Sequence, residues 1–175
     1  GATVIENLEA KSHGVLIWRA LLQWLGGVGI IVMALAVLPM LSIGGMQLFK
    51  TESYETPDKV VPKAASFAAG ISIVYITLTV TWALMLWGAG MSIFDSIAHA
   101  MTTLATGGYS TKSQSLAAFN SSTIEIIIIF GMLVGSLPFV HYLTLTKNGI
   151  RNLIKDDQIK LFLTLVFFVV LIMSL

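Results

Sequence analysis

Four apolar stretches leave this chain few ways to fold. They run from about Val15 to Ile43, about Ala64 to Gly90, about Ser122 to Thr146, and from near Gln158 onward. Several reach the roughly 20 apolar residues that cross a bilayer. A soluble domain could not cover so much oily surface. Of 175 residues 56% are hydrophobic and only 11% charged, against roughly 25% charged in an ordinary globular domain. The lipid interior offers no water to free backbone groups, so each stretch is expected to be helical. The expected fold class is an all-α, polytopic membrane protein.

Other classes are disfavoured by what the sequence lacks. There is no cysteine, hence no disulfide framework and no thiolate metal site or nucleophile. A net charge of +1 gives no electrostatic case for nucleic acid. His13, His99 and His141 are scattered, without ligand spacing to a carboxylate. No nucleophile, base or metal cluster stands within the apolar segments, so the chain is not expected to be an enzyme and no bound cofactor is expected. "LGGVGII", with Gly26, Gly27 and Gly29, follows no strand and lies inside an apolar span; it reads as close helix packing rather than a dinucleotide loop. The sequence starts without methionine and stops inside an apolar run, which reads as an internal piece of a longer protein.

Between the second and third spans lies "MSIFDSIAHAMTTLATGGYST". Ser92 and Asp95 have the capping-box spacing, a hydroxyl and a carboxylate that satisfy the first amides of a helix. A helix from Ser92 to Leu104 would be about 20 Å long at 1.5 Å per residue, too short for a hydrocarbon core of about 30 Å. It can enter the membrane without crossing it. The polar, glycine-bearing loop that follows is then a re-entrant hairpin, and irregular backbone at that depth requires protein or water around it. An extended loop there presents carbonyl oxygens that can replace the water shell of a cation; a glycine pair among threonines also fits an ordinary turn. Glycine is expected in the extended loop for backbone angles that a side chain would penalise.

Charge sets the orientation. Lys50, Lys59 and Lys63, with Lys147, Arg151, Lys155 and Lys160, lie on one side; Lys11, Arg19 and Lys112 lie on the other. Seven against three puts the basic loops in the cytoplasm and the re-entrant loop at the outer face. Trp18, Trp24, Trp82 and Trp87 are expected as interfacial anchors. "GATVIENLEAKSHGV" echoes "ATGGYSTKSQSLAAFNSS" as a threonine-bearing outer stretch before a span, suggesting a repeat of span, pore helix, loop and span.

Three segments, "WRALLQWLGGVGIIVMALAVLPMLSIGGMQLFKTES", "GMSIFDSIAHAMTTLATGGYST" and "IEIIIIFGMLVGS", closely resemble the TrkH family of bacterial potassium-uptake proteins. The resemblance covers nearly the whole chain. It implies four repeats of helix, pore helix, filter loop and helix around one pore, in a homodimer in the bacterial inner membrane. Residues 1–46 would end the first repeat, 47–63 form a cytoplasmic loop, 64–147 the complete second repeat, and 148–175 a linker and the start of the third. Gly1, Ala2 and Thr3 would be the tail of one filter. Ala105, Thr106, Gly107, Gly108 and Tyr109 would form the next, with potassium as substrate at backbone carbonyls of Thr106, Gly107 and Gly1. Neither filter carries a full TVGYG sequence, which implies weaker sodium rejection; a sodium/potassium-conducting or sodium-coupled relative of the same superfamily is the alternative. A cytoplasmic nucleotide-binding subunit of TrkA type is the implied partner.

Individual residues carry further expectations. Glu125 sits at the outer mouth of the third span, where a carboxylate can concentrate cations or simply complement a helix end. Arg19 and Gln23, four apart on one helix face, suggest snorkelling or a link to the loop. Pro39 and Pro138 are candidates for kinks. His99 reads as a packing or hydrogen-bonding residue, and His141 as one that snorkels.

Overall fold

A computed structural model describes residues 5, 7–37, 60–139, 141–143 and 156–174, with side chains placed over 5, 7–29, 68–139, 141–143 and 156–174. The described residues are helical and contain no strand. In chain order the helices are α1 His13–Val37, α2 Val60–Gly88, α3 Ile93–Leu104, α4 Ser122–Ser136 and α5 Asp157–Met173, with 3-10 turns at Leu8–Ala10 and Ser115–Phe119. By contact the chain divides into two units, Gly1–Ser136 and Leu137–Leu175.

In the first unit α3 is the centre, packed against α1, α2 and α4. Nine of its residues are buried, Asp95, Ser96 and Ala98 through Leu104. At twelve residues it is about 18 Å long, so it cannot cross a bilayer. The 21 residues Ala68–Gly88 of α2 can, by length and composition. Here α2 turns Ile71, Tyr75, Thr79, Trp82 and Leu86 inward, a stripe at three- and four-residue spacing. Ile73, Ile76, Val80, Leu84 and Trp87 face outward, an apolar surface suited to lipid or further protein.

Helices in lipid gain little from hydrophobic burial against one another, so packing and hydrogen bonds must join them. Two tryptophans expected as interfacial anchors supply such joints instead. Trp24 Nε1 donates to Thr79 Oγ1 at 2.9 Å, while Tyr75 Oη donates back to the Trp24 carbonyl at 3.3 Å and the rings stack at 5.2 Å. Trp82, 8% exposed, donates from Nε1 to the Ile127 carbonyl at 2.9 Å. Trp18 and Trp87 remain exposed.

The third span departs from its expected continuous course. α4 ends at Ser136, two residues before Pro138, which lacks an amide hydrogen and whose ring crowds the preceding turn. Its 15 residues amount to about 22 Å. A feature passed over in the sequence reading is the Gly131-x-x-x-Gly135 pair within α4, the spacing that lets helices approach closely. A methyl group on Gly131 would overlap Trp82 Nε1 and lie 2.6 Å from Thr103 Cγ2. One on Gly135 would lie 2.7 Å from the Leu104 carbonyl oxygen.

In the second unit Asp156 caps α5, accepting from the amides of Gln158 at 2.8 Å and Ile159 at 3.3 Å. Lys160 Nζ pairs with Asp157 at 2.9 Å. His141 Nε2 lies 3.4 Å from Asp156 Oδ2, so this ring has a carboxylate beside it. The segments containing Pro39, Lys50, Lys59, Lys147, Arg151 and Lys155 lie outside the described residues, as does the Lys63 side chain.

Candidate functional site

The loop after α3 is shaped first by how the helix stops. The Gly107 amide donates to the Thr102 carbonyl at 2.9 Å and the Thr106 amide to that of Thr103 at 3.0 Å. These are the paired six-to-one and five-to-two bonds of a Schellman ending, whose left-handed position usually holds glycine. Here it holds Thr106, at φ 52°, a conformation costing a branched residue about 1–3 kcal/mol. Gly108 follows at φ 77°, where the absence of a Cβ removes that cost.

Gly107 differs. Its φ lies outside the left-handed region, so the expectation that its backbone angles demand glycine is not its reason for being one. A neighbour is. A methyl group built on it would overlap Cδ, Nε2 and Oε1 of Gln23.

That contact belongs to a register between α1 and the loop. Arg19 Cζ lies over the Tyr109 ring, 4.5 Å from its centroid, within cation–π range. Gln23 meets Gly107 one turn later, and Gly27 faces Ala105 after another: a methyl group built on Gly27 would lie 3.2 Å from the Ala105 Cβ. Four helical residues rise about 6 Å, one turn of one helix face. Positions 19, 23 and 27 match 109, 107 and 105, running antiparallel. Of Gly26, Gly27 and Gly29, only Gly27 has atoms within 4 Å of a built Cβ.

The opposite side is held by α3, using Asp95, His99 and Thr102. Thr111 Oγ1 donates to Asp95 Oδ1 at 2.5 Å. Asp95 also belongs to the helix cap: its amide donates to Ser92 Oγ at 3.1 Å, and the Ser92 hydroxyl donates to its Oδ2 at 2.8 Å. His99 Nδ1 lies 2.8 Å from the Asp95 carbonyl. A carbonyl only accepts, so Nδ1 carries the hydrogen, and in the neutral ring Nε2 accepts from Ser110 Oγ at 2.9 Å. Ser110 Oγ in turn accepts from the Lys112 amide at 3.0 Å. Phe119 closes on the His99 ring edge to face at 5.3 Å. Finally, Thr102 Oγ1 donates to the Tyr109 carbonyl at 2.9 Å.

The loop is thus gripped between two helix faces. Of its backbone oxygens, that of Tyr109 is committed to Thr102. Those of Ala105, Thr106 and Gly108 accept no hydrogen bond among the described residues. Gln23 Oε1 is buried and has no partner there, although an unmatched buried acceptor costs about 1–3 kcal/mol.

A further clamp joins the N-terminal segment to the far end of the loop. Ser113 donates from its amide to Glu9 Oε1 at 2.8 Å and from Oγ to Oε2 at 2.5 Å, while the Leu8 amide donates to Ser113 Oγ at 3.1 Å. The Ser113 hydroxyl bond, with its amide, holds the exposed Glu9 carboxyl below its ordinary range. His13 stacks on Phe94 at 4.2 Å. Glu125 lies exposed in the first turn of α4. Gly1, Ala2 and Thr3 lie outside the described residues. No group of three or more His, Cys, Asp or Glu side chains placed to hold a metal occurs among the described residues.

Comparison with known proteins decides the family. The family model for TrkH, described as cation transport protein, matches residues 1–175. The chain belongs to the TrkH family. It is 38% identical over its whole length to the Trk system potassium uptake protein TrkI of Halomonas elongata, covering 36% of that protein. It is 38% identical to the Trk system potassium uptake protein TrkH of Escherichia coli K12, covering 37% of it. The crystal structure of the potassium transporter TrkH from Vibrio parahaemolyticus superposes with a TM-score of 0.78 at 35% identity, covering 97% of this chain and 34% of that one. The chain thus spans little more than a third of the length of these TrkH-family relatives.

The sequence placed the helix along the chain and offered a link from Arg19 and Gln23 to the loop, which is found at Tyr109 and Gly107; that Gln23 takes up the Cβ direction of Gly107 was not foreseen. Its one signal was the four-residue spacing from Arg19 on a shared face. Thr103, packed against Gly131, gave no signal.

Proposed function

We propose that this chain supplies part of a potassium-uptake pore in a TrkH-type protein, and that Ala105 through Tyr109 form a filter loop with Gly107 at its centre. The observation that carries the reading is the set of unspent carbonyls at Ala105, Thr106 and Gly108 in a loop clamped from both sides. Ala105 is half-buried and Thr106 and Gly108 are exposed, so these oxygens are open to an approaching partner, and a dehydrated cation is one that oxygens so held can serve. Potassium is the substrate, met at Thr106 and Gly107 and at Gly1 in the neighbouring repeat. Names of relatives at 38% identity support potassium over other ions.

The remaining repeats, a second copy and a cytoplasmic nucleotide-binding subunit of TrkA type complete the assembly. It lies in the bacterial inner membrane with the loop outward and the basic loops inward. Uptake then runs down the membrane potential, which contributes about 2.3 kcal/mol per charge per 100 mV. No catalytic step is assigned.

A sodium-tolerant variant of the same pore is favoured by one observation. The Tyr109 oxygen is already bonded to Thr102, leaving fewer oxygens to order an ion. Complementation of a potassium-uptake-deficient strain by the full-length protein tests both readings. Growth at low potassium that Gly107→Ser abolishes supports the filter; equal uptake of sodium and potassium by the unaltered protein selects the tolerant variant. Growth indifferent to Gly107→Ser refutes the filter.

A further inference from the structure

We infer that Gln23 is a positioning residue for the filter loop, setting its separation from α1 by filling the volume that a side chain on residue 107 would need. The inference rests on the filter reading and adds to it a specificity-determining contact from a different helix. Three observations lead to it. The Gln23 amide occupies the Cβ direction of Gly107 with all three of its terminal heavy atoms. Gln23 stands at the middle of the register that pairs Arg19 with Tyr109 and Gly27 with Ala105, so the loop cannot slide past it without breaking contacts on both sides. Its Oε1 is buried and unbonded among the described residues, so the side chain is not there to complete a hydrogen-bond pair through that oxygen; it is there as bulk.

A filter discriminates ions by how far its oxygens can close or spread. With α3 fixing the loop through Thr102, His99 and Asp95, inward and outward travel at Gly107 is limited by what lies behind it on α1. A shorter residue at 23 leaves space into which the loop can relax, and a cation of the wrong size then finds oxygens that adjust to it. A residue of equal length does not.

The experiment is a double-mutant cycle in the full-length protein, read in three ways: protein amount in the membrane, thermal unfolding in detergent, and the ratio of potassium to sodium uptake. Gln23→Ala is expected to lower the ratio about tenfold, mid-range for contacting residues, with the amount of protein unchanged. Gln23→Met, which keeps the length without the amide, is expected to hold the ratio within about threefold of the unaltered protein, as volume-conserving swaps do. Gly107→Ala should lose uptake, and Gly107→Ala with Gln23→Ala should recover to within about threefold of Gln23→Ala alone. A ratio unmoved by Gln23→Ala, a fall with Gln23→Met as deep as with alanine, or a double variant no better than Gly107→Ala overturns the inference. The thermal cycle separates the two readings. Coupling between positions 23 and 107 without any potassium uptake by the unaltered protein would refute the pore while leaving the contact standing, and potassium uptake without coupling would refute the positioning role alone.

Discussion

Thr102 and Tyr109 are joined across the turn of the re-entrant hairpin, hydroxyl to carbonyl, at 2.9 Å. Thr102 is 3% exposed, and its hydroxyl also reaches the His99 carbonyl at 3.2 Å. The eight residues from Thr102 to Tyr109 are thereby closed into a loop whose far end returns to the helix it left. The bond fixes where the loop turns outward, and it removes one oxygen from those available to an ion.

Thr102→Val tests that role with almost no change of shape. The valine leaves the Tyr109 carbonyl without its partner, a loss of about 1–3 kcal/mol for a buried group. The expected result is a lower unfolding temperature in detergent together with an altered potassium-to-sodium uptake ratio, since the freed oxygen can now turn. An unfolding temperature and a ratio both equal to those of the unaltered protein would show that the bond holds nothing.

Thr106→Gly opposes two known terms. Threonine at φ 52° carries about 1–3 kcal/mol of backbone strain. Glycine relieves it but brings an entropic cost of about 0.5–1 kcal/mol. Relief exceeds cost, so the variant is expected to unfold at an equal or higher temperature while transporting less selectively, because the loop has lost a stiff residue. A clear drop in unfolding temperature would mean that the threonine side chain makes a contact worth more than the strain.

Glu125→Gln separates attraction of cations from support of a helix end. The carboxylate is exposed in the first turn of α4; a role in attracting cations would raise their local concentration only while the bulk concentration is low. Uptake is expected to fall at low external potassium and to be unchanged at high potassium, with the difference shrinking as inert salt screens the charge over about 8–10 Å. Equal loss at both concentrations would instead point to the helix end.

Much of this arrangement was legible in the sequence because it is local. Ser92 and Asp95 stand three apart, and that spacing alone announces where α3 begins. The twelve-residue length of α3 against its long neighbours announces a hairpin. The contacts that hold the loop are long-range and left little trace. Gln23 and Gly107 are 84 positions apart, and nothing in "ATGGYST" says that its first glycine answers to a neighbour while its second answers to a dihedral angle. Thr106 in the left-handed position runs against residue preference, so a preference-based reading assigns the strained conformation to a glycine. Trp24 and Trp82 have the outer placement of interfacial anchors, yet Thr79 and the Ile127 carbonyl claim their indole hydrogens. Pro138 marked a possible kink, and the helix is interrupted there: α4 stops at Ser136 and helical residues resume at Phe139.

Gly135→Ala probes the link between α4 and the loop. The added methyl would meet the Leu104 carbonyl oxygen at 2.7 Å and the Leu104 Cα at 3.2 Å. These are backbone atoms at the end of α3, so the clash cannot be relieved by turning a side chain. Either α4 moves away or the last turn of α3 moves, and Ala105 moves with it. Overpacking of this kind costs about 1–3 kcal/mol, while the helix gains about 0.8–1.0 kcal/mol from replacing glycine by alanine; the clash prevails. Gly26→Ala, where a Cβ meets nothing within 4 Å, keeps the gain without the clash and serves as the control. Gly135→Ala is expected to lower both the unfolding temperature and the potassium-to-sodium uptake ratio, and Gly26→Ala to lower neither. Since the displaced oxygen lies one residue before the loop, a stability loss with the uptake ratio intact would mean that α4 yields and the loop is held without it.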